Sequence, residues 1–131
     1  MKRSILFSVI LMISAILASQ ASAQISQRVH FATGTHGTTV RGTVRGYAYR
    51  DYVVRASYGQ KISLRITTNG LPSVFTVFLP GGANMAGAAE SDKFSGELPS
   101  SGNYVIRVGM MRAYARRRGS VSNFTLKITV K

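Results

Sequence analysis

Residues 98–118 read LPSSGNYVIRVGMMRAYARRR and carry the clearest structural signal in the chain. Its opening run, Pro99 to Gly102, consists of residues that favour turns. Tyr104, Ile106 and Val108 then occupy every second position, which is the period of a pleated strand. The rest of the stretch carries four arginines, one tyrosine and no acid. It therefore predicts a turn, a strand and a basic loop, and such loops often carry binding residues.

The same two-residue period recurs along the chain, between segments rich in turn formers. A first strand is expected around Val29 and Phe31. Residues 74–79 are apolar except for Thr76, which predicts a strand buried on both faces. No window has the period of a helix. The side chains expected to face inward in the clearest strands are Tyr52, Val54, Ala56, Ile62, Leu64, Ile66, Phe124, Leu126, Ile128 and Val130.

Seven or eight short strands at this spacing predict an all-β fold. The architecture we expect is an antiparallel β-sandwich of about eight strands. An up-and-down or partly open barrel is the alternative.

Residues 1–23 have the features of a secretory signal peptide. Lys2 and Arg3 supply a positive start, and residues 5–17 are apolar except for two serines. Ala21 to Ala23 then provides a small-residue cleavage site. The apolar run is shorter than the roughly 20 residues that span a membrane, although an uncleaved anchor is the alternative. We expect export, a single domain at residues 24–131 and no membrane span after cleavage.

The composition of the chain restricts the classes of function that it can have. The chain has 17 lysines and arginines against four acids, and a formal net charge of +13, so anionic partners are favoured. Export makes nucleic acid the least favoured of them. The absence of cysteine excludes thiol catalysis and thiolate metal ligands. Neither His30 nor His36 lies near a nucleophile motif, and four acids are a thin supply for glycoside chemistry. We expect no catalytic residue, metal or cofactor, and hence no enzyme.

The basic loop is the best candidate for recognition. Arg112 and Arg116 are four residues apart, which places them on one face in a helix and also in an extended chain. Tyr114 shares that face only in the extended case. The arginine fork of donors matches a carboxylate bidentately. Tyr47 and Arg45 fall on the outward phase of an earlier strand and are candidate contacts. A solvated basic loop that only aids solubility is the alternative.

Two runs of the sequence resemble a known family. Residues 42–52, GTVRGYAYRDY, are similar to the G-x-(I/V)-x-G-Y-x-Y segment of PliG, the bacterial periplasmic inhibitors of g-type lysozyme. Residues 98–116 are similar to that family's L-P-x-S-G-x-Y-x-x-R-V-x-x-x-R-x-x-A-R pattern. The resemblance spans nearly all of residues 29–131.

The resemblance implies an eight-stranded antiparallel β-sandwich and a periplasmic protein whose partner is g-type lysozyme. It implies that a loop enters the substrate cleft of the enzyme. Carried onto matching positions, it makes Tyr47, Arg112 and Arg116 the contact residues. By the same resemblance, Ser101 and Gly102, with Tyr104, shape the base of that loop.

We therefore expect an inhibitor of g-type lysozyme that occludes the substrate cleft and protects bacterial peptidoglycan. The alternative is an exported basic module that binds polyanions of the cell envelope. A third reading is an accessory β-sandwich unrelated to lysozyme.

Overall fold

Eight strands form two four-stranded sheets in the computed structural model, which describes residues 25–131. The expected signal peptide, residues 1–23, lies outside the described residues. The elements are β1 (Ile25–Arg28), β2 (Gly37–Arg45), β3 (Arg50–Ala56), β4 (Lys61–Gly70), β5 (Val74–Phe78), β6 (Lys93–Glu97), β7 (Gly102–Gly109), α1 (Arg112–Ala115) and β8 (Val121–Val130).

The strand order is β1-β3-β7-β5 in the first sheet and β2-β8-β4-β6 in the second. Neighbouring strands are antiparallel, except that β1 pairs with β3 in parallel. The predicted all-β sandwich is confirmed. None of the helical structure in residues 25–131 is long and apolar enough to cross a bilayer.

The core lies between the sheets and is filled by the alternating apolar positions. Each side chain that was expected to face inward in β3, β4, β7 and β8 is buried. Tyr52 of β3 and Phe124 of β8 meet edge to face, with ring centroids 6.1 Å apart. Because one face of β3, β4, β7 and β8 is buried, a shift of one residue in any of these strands would expose the core, so their register is fixed.

Two strands differ from the expectation. The first strand lies at Ile25–Arg28 instead of around Val29 and Phe31. Its four residues are all exposed and pair through the backbone, so they carry no apolar period. β5 is not buried on both faces, because Thr76 and Phe78 remain half-buried on the outer face.

Residues 83–91 cover the free edge of β5. The Val77 amide donates to the Ala88 carbonyl (2.9 Å), and the Met85 amide donates to the Val77 carbonyl (2.8 Å). Met85 and Ala88 are buried, although their neighbours are exposed. The segment thus shields an edge that could otherwise pair with another chain.

Gly42, in the middle of β2, leaves room for the Phe124 ring of the neighbouring strand β8 and for the Arg50 side chain of the other sheet. A Cβ atom there would lie 2.7 Å from Cζ of Phe124 and 3.1 Å from Cδ of Arg50. The Arg50 guanidinium crosses from β3 to donate through Nε to the Thr43 carbonyl at 3.0 Å. A larger residue would push both side chains out of place.

Replacing Gly42 by alanine should therefore destabilise the fold. We expect Gly42→Ala to lower the free energy of unfolding by about 1–3 kcal/mol, as for other overpacked sites. Gly37→Ala, in the same strand, is the control, since its Cβ would meet only ordinary contacts at 3.5 Å. Urea denaturation measures both. Equal stability of the two variants would contradict this role for Gly42.

Candidate functional site

One end of the sandwich brings together the turn after β2 and the loop before β8. Arg45, the last residue of β2, pairs with Val121, the first residue of β8. The Gly46 amide then donates to the Ser120 carbonyl at 3.1 Å, which extends the ladder beyond both strands. The two connections are therefore fixed relative to each other by backbone bonding.

Tyr47 lies at the tip of the turn formed by residues 45–48. The Ala48 amide donates to the Arg45 carbonyl at 3.0 Å and closes the turn. Gly46 has a φ of 55°, which fits the first central position of a type II′ turn and is costly for other residues. Tyr47 follows it with 66% of its surface exposed. The turn thus presents an aromatic ring to solvent.

The basic loop contains a single helical turn, α1. This turn was not predicted, because it is too short to show a helical period in the sequence. The Arg116 amide donates to the Arg112 carbonyl at 3.1 Å, so the two exposed arginines lie one turn apart on the same face. Ala115 faces the protein and is 4% exposed. The Ser120 hydroxyl donates to the Ala115 carbonyl at 3.0 Å and holds the end of the turn.

The other two predicted contacts do not join this face. Tyr114 is two residues from Arg112, which puts it on the other side of a helical turn, and it is half-buried. The Arg117 guanidinium lies over its ring, 5.1 Å from the centroid. The outward phase of β2 places Arg45, which is exposed, on the outer face of the second sheet.

A groove of about 320 Å³ separates the Tyr47 turn from the start of α1. We call it the Tyr47 groove. Its walls include Tyr47, Tyr49, Arg112 and Met110, and Arg107 of β7 also lines it. Tyr47 and Arg112, which are 65 positions apart in the sequence, thus border one depression, whereas Arg116 lies one helical turn beyond it.

Arg107 is held firmly beside the Tyr47 groove by Asp51. Arg107 and Asp51 are cross-strand partners on β7 and β3. Nε and Nη2 of the arginine donate to the two carboxylate oxygens at 2.8 and 3.0 Å, which is a bidentate pair. Hydrogen bonding to Asp51 raises the pKa of Arg107. The guanidinium also lies 4.0 Å from the ring centroid of Tyr49 and 5.0 Å from that of Phe78.

The Asp51–Arg107 pair is not evident from the sequence. The two residues are 56 positions apart, and only the register of β3 against β7 makes them neighbours. The sequence does place opposite charges at outward positions of two predicted strands. It does not show that these two strands are neighbours, so the pair could not be predicted.

In residues 25–131, no group of three histidines and acids is arranged to hold a metal ion.

Comparison with known proteins identifies the family of the chain. No family model matches the chain. The crystal structure of Aeromonas hydrophila PliG, a periplasmic inhibitor of g-type lysozyme, is 32% identical. It superposes with a TM-score of 0.71 over 82% of this chain and 97% of that chain. This chain belongs to the PliG family.

Other PliG proteins agree with this assignment. The crystal structure of Salmonella Typhimurium PliG, also a periplasmic inhibitor of g-type lysozyme, is 26% identical. Its TM-score is 0.66, over 82% of this chain and 98% of that one. The Escherichia coli (strain K12) inhibitor of g-type lysozyme is 25% identical over 93% of both chains. Because these relatives are inhibitors, the expectation that the PliG-family chain is not an enzyme is confirmed.

The PliG resemblance predicted the wrong location for Ser101 and Gly102. Ser101 and Gly102 do not lie at the base of the basic loop, because Gly102 begins β7 and the loop follows the other end of that eight-residue strand, roughly 25 Å away. Buried Tyr104 donates its hydroxyl to the Ser100 carbonyl at 2.6 Å. The Ser101 hydroxyl accepts the Tyr58 amide at 2.8 Å. These residues instead shape the turn at the opposite end.

Breaking the ion pair beside the Tyr47 groove should cost stability. Asp51→Asn removes the bidentate acceptor of a partly exposed arginine, and we expect a loss of about 1 kcal/mol in the free energy of unfolding. Asp92→Asn removes the same charge from an exposed loop position and should change little. Urea denaturation at low and high salt measures both. An equal effect of the two substitutions would show that only net charge matters.

Proposed function

We propose that this protein inhibits g-type lysozyme by docking the Tyr47 turn and α1 into the substrate cleft of the enzyme. Membership of the PliG family supports the inhibitor role. The occluding surface is implied by the PliG resemblance, and the geometry of residues 25–131 supports it.

The observation that carries the proposal is the arrangement of three exposed side chains at one end of the sandwich. Tyr47 and Arg112 border the same groove, and Arg116 follows Arg112 by one helical turn. The backbone bond from Gly46 to Ser120 holds the two connections together. A surface that is ordered before binding loses less conformational freedom in the complex, which strengthens association.

The chemistry of the partner suits this surface. Glycoside hydrolases cut their substrates with paired carboxylic residues, so the cleft of a lysozyme carries negative charge. Arg112 and Arg116 form no ion pair within the described part of the chain, and their guanidinium forks are free to bind carboxylates. Tyr47 adds a rigid ring of the kind enriched in protein interfaces.

We also propose that residues 1–23 are removed on export, so that residues 24–131 act in the periplasm. The PliG structures from Aeromonas hydrophila and Salmonella Typhimurium are of periplasmic inhibitors, which supports this site of action.

The first test is a peptidoglycan lysis assay with the purified protein. We expect stoichiometric loss of activity of a g-type lysozyme at physiological salt, and little effect on a c-type lysozyme. The physical reason is that a shaped cleft discriminates between enzymes, whereas diffuse attraction does not. Loss of both activities to the same degree, fading as salt rises, would favour nonspecific charge attraction.

The second test separates the arginines. Arg112→Ala and Arg116→Ala should each weaken inhibition of g-type lysozyme by more than tenfold, since truncating one partner of a buried interface charge pair costs about 2–5 kcal/mol. Arg55→Ala is the matched control: it removes an exposed arginine of β3, opposite Asn103 and remote from the groove. Inhibition constants are measured for all three. Equal, small losses of inhibition in all three variants would contradict the occlusion model.

A further inference from the structure

The outer face of the second sheet carries a row of cations that the proposed inhibitor function does not use. Lys127 of β8 pairs with Arg65 of β4, and Arg65 pairs with Lys93 of β6. All three side chains are exposed. Neighbouring strands lie about 4.8 Å apart, so three positive charges stand side by side across roughly 10 Å.

This arrangement is unfavourable in the isolated protein. Like charges directly opposite each other on adjacent strands destabilise a sheet. None of these three side chains forms an ion pair among residues 25–131, where the ion pair joins Asp51 to Arg107 on the other sheet. Glu97 of β6 lies on the same face but opposite Lys61, at the other end of its strand from Lys93. A bound anionic surface would convert the mutual repulsion of these charges into attraction.

Two shallow depressions flank the row, and hydroxyl, amide and cationic groups form part of the lining of both. One, of about 490 Å³, includes Arg41, Thr67 and Asn123. The other, of about 450 Å³, includes Lys61 and Lys131 together with hydroxyl-bearing residues. Such groups donate hydrogen bonds to anionic oxygens.

The face lacks the side chains needed for stacking or insertion. Among the described residues, the exposed large apolar side chains are Ile25, Tyr47, Tyr58 and Met111, and none lies in the strands of this sheet. Single-stranded nucleic acid is normally held by aromatic rings on which its bases stack, so it fits this face poorly. A broad, polar and cationic face fits a plane of negatively charged headgroups.

We propose that the outer face of the second sheet is a docking surface for a bilayer that contains anionic phospholipid. Binding is electrostatic and peripheral, with the cation row on the headgroup phosphates. The face runs along the strands, whereas the Tyr47 groove lies at the strand ends. The protein can therefore lie on a membrane and still present its lysozyme surface.

Cosedimentation with lipid vesicles tests the proposal. The protein is purified from the periplasm of cells that express the full chain. It is mixed at physiological salt with vesicles of phosphatidylcholine, or with vesicles in which part of that lipid is replaced by phosphatidylglycerol. Two variants each remove three positive charges. The sheet variant is R65T/K93T/K127T, and the loop variant is R112S/R116S/R118S.

We expect the protein to bind only the vesicles that contain phosphatidylglycerol. The sheet variant should lose at least about tenfold in partitioning, whereas the loop variant should retain most of it. The melting temperature of the sheet variant should be unchanged or higher, because repulsion within the row is removed. The sheet variant should still inhibit g-type lysozyme, so failure of this proposal is distinguishable from failure of the inhibitor mechanism.

Three results would overturn the proposal. The first is no binding of the unmodified protein to phosphatidylglycerol vesicles. The second is an equal loss in both variants, which would make net charge the cause. The third is binding to purified peptidoglycan sacculi in place of vesicles, abolished in the sheet variant, which would assign the same face to a carboxylate-bearing wall polymer.

Discussion

The hydrogen bond from the Gly46 amide to the Ser120 carbonyl determines where the side chains of the proposed lysozyme surface lie. It continues the nine-residue ladder between β2 and β8 by one further step. Tyr47 follows its donor directly, and α1 precedes its acceptor. Because the bond joins two backbone groups, it does not involve the side chains of Tyr47 or of the loop arginines. The loop end is thereby built on the rigid part of the sheet, which favours a precise binding surface.

A second constraint separates structural charge from charge that is available for binding. The fork of Arg107 is occupied by Asp51 and lies against the rings of Tyr49 and Phe78, so its charge is largely committed within the protein. Arg112 and Arg116 have no such partner in residues 25–131. Arginine therefore has both a structural role and a proposed binding role at this end of the sandwich. Arg107 stiffens the strands beside the groove, whereas Arg112 borders the groove and Arg116 lies one helical turn beyond it.

The sequence predicted the inward faces well, because burial on one side of a strand imposes a two-residue apolar period. It failed for β1, whose exposed residues are held by backbone pairing that has no side-chain signature. It could not predict α1, because a single helical turn is too short to produce a recognisable helical period. The PliG resemblance misplaced Ser101 and Gly102, because the length of β7 separates them from the basic loop.

The site was predictable in its residue types but not in its assembly. Tyr47 was expected to be exposed on a strand, but β2 ends at Arg45 and its exposure comes from the turn that follows. The shared face of Arg112 and Arg116 followed from their spacing. The placement of Tyr47 and Arg112 around one groove depends on which strands are neighbours. The pairing of Asp51 with Arg107 depends on the register of β3 against β7. Both are long-range properties that a single sequence does not contain.

The distribution of positive charge also bears on how the two proposed surfaces can work independently. Lys127, in the cation row, pairs with Thr39 of β2, and Arg45 ends the same strand six residues later. Six residues of strand span roughly 20 Å, whereas charges are screened over about 8 Å at physiological ionic strength. The row and the loop end are therefore electrostatically separate in the periplasm at such ionic strength. At low salt their fields merge and attract any anion, which speeds encounters but removes the distinction between the surfaces. Selectivity at this protein's surface thus depends on screening as much as on the positions of its arginines.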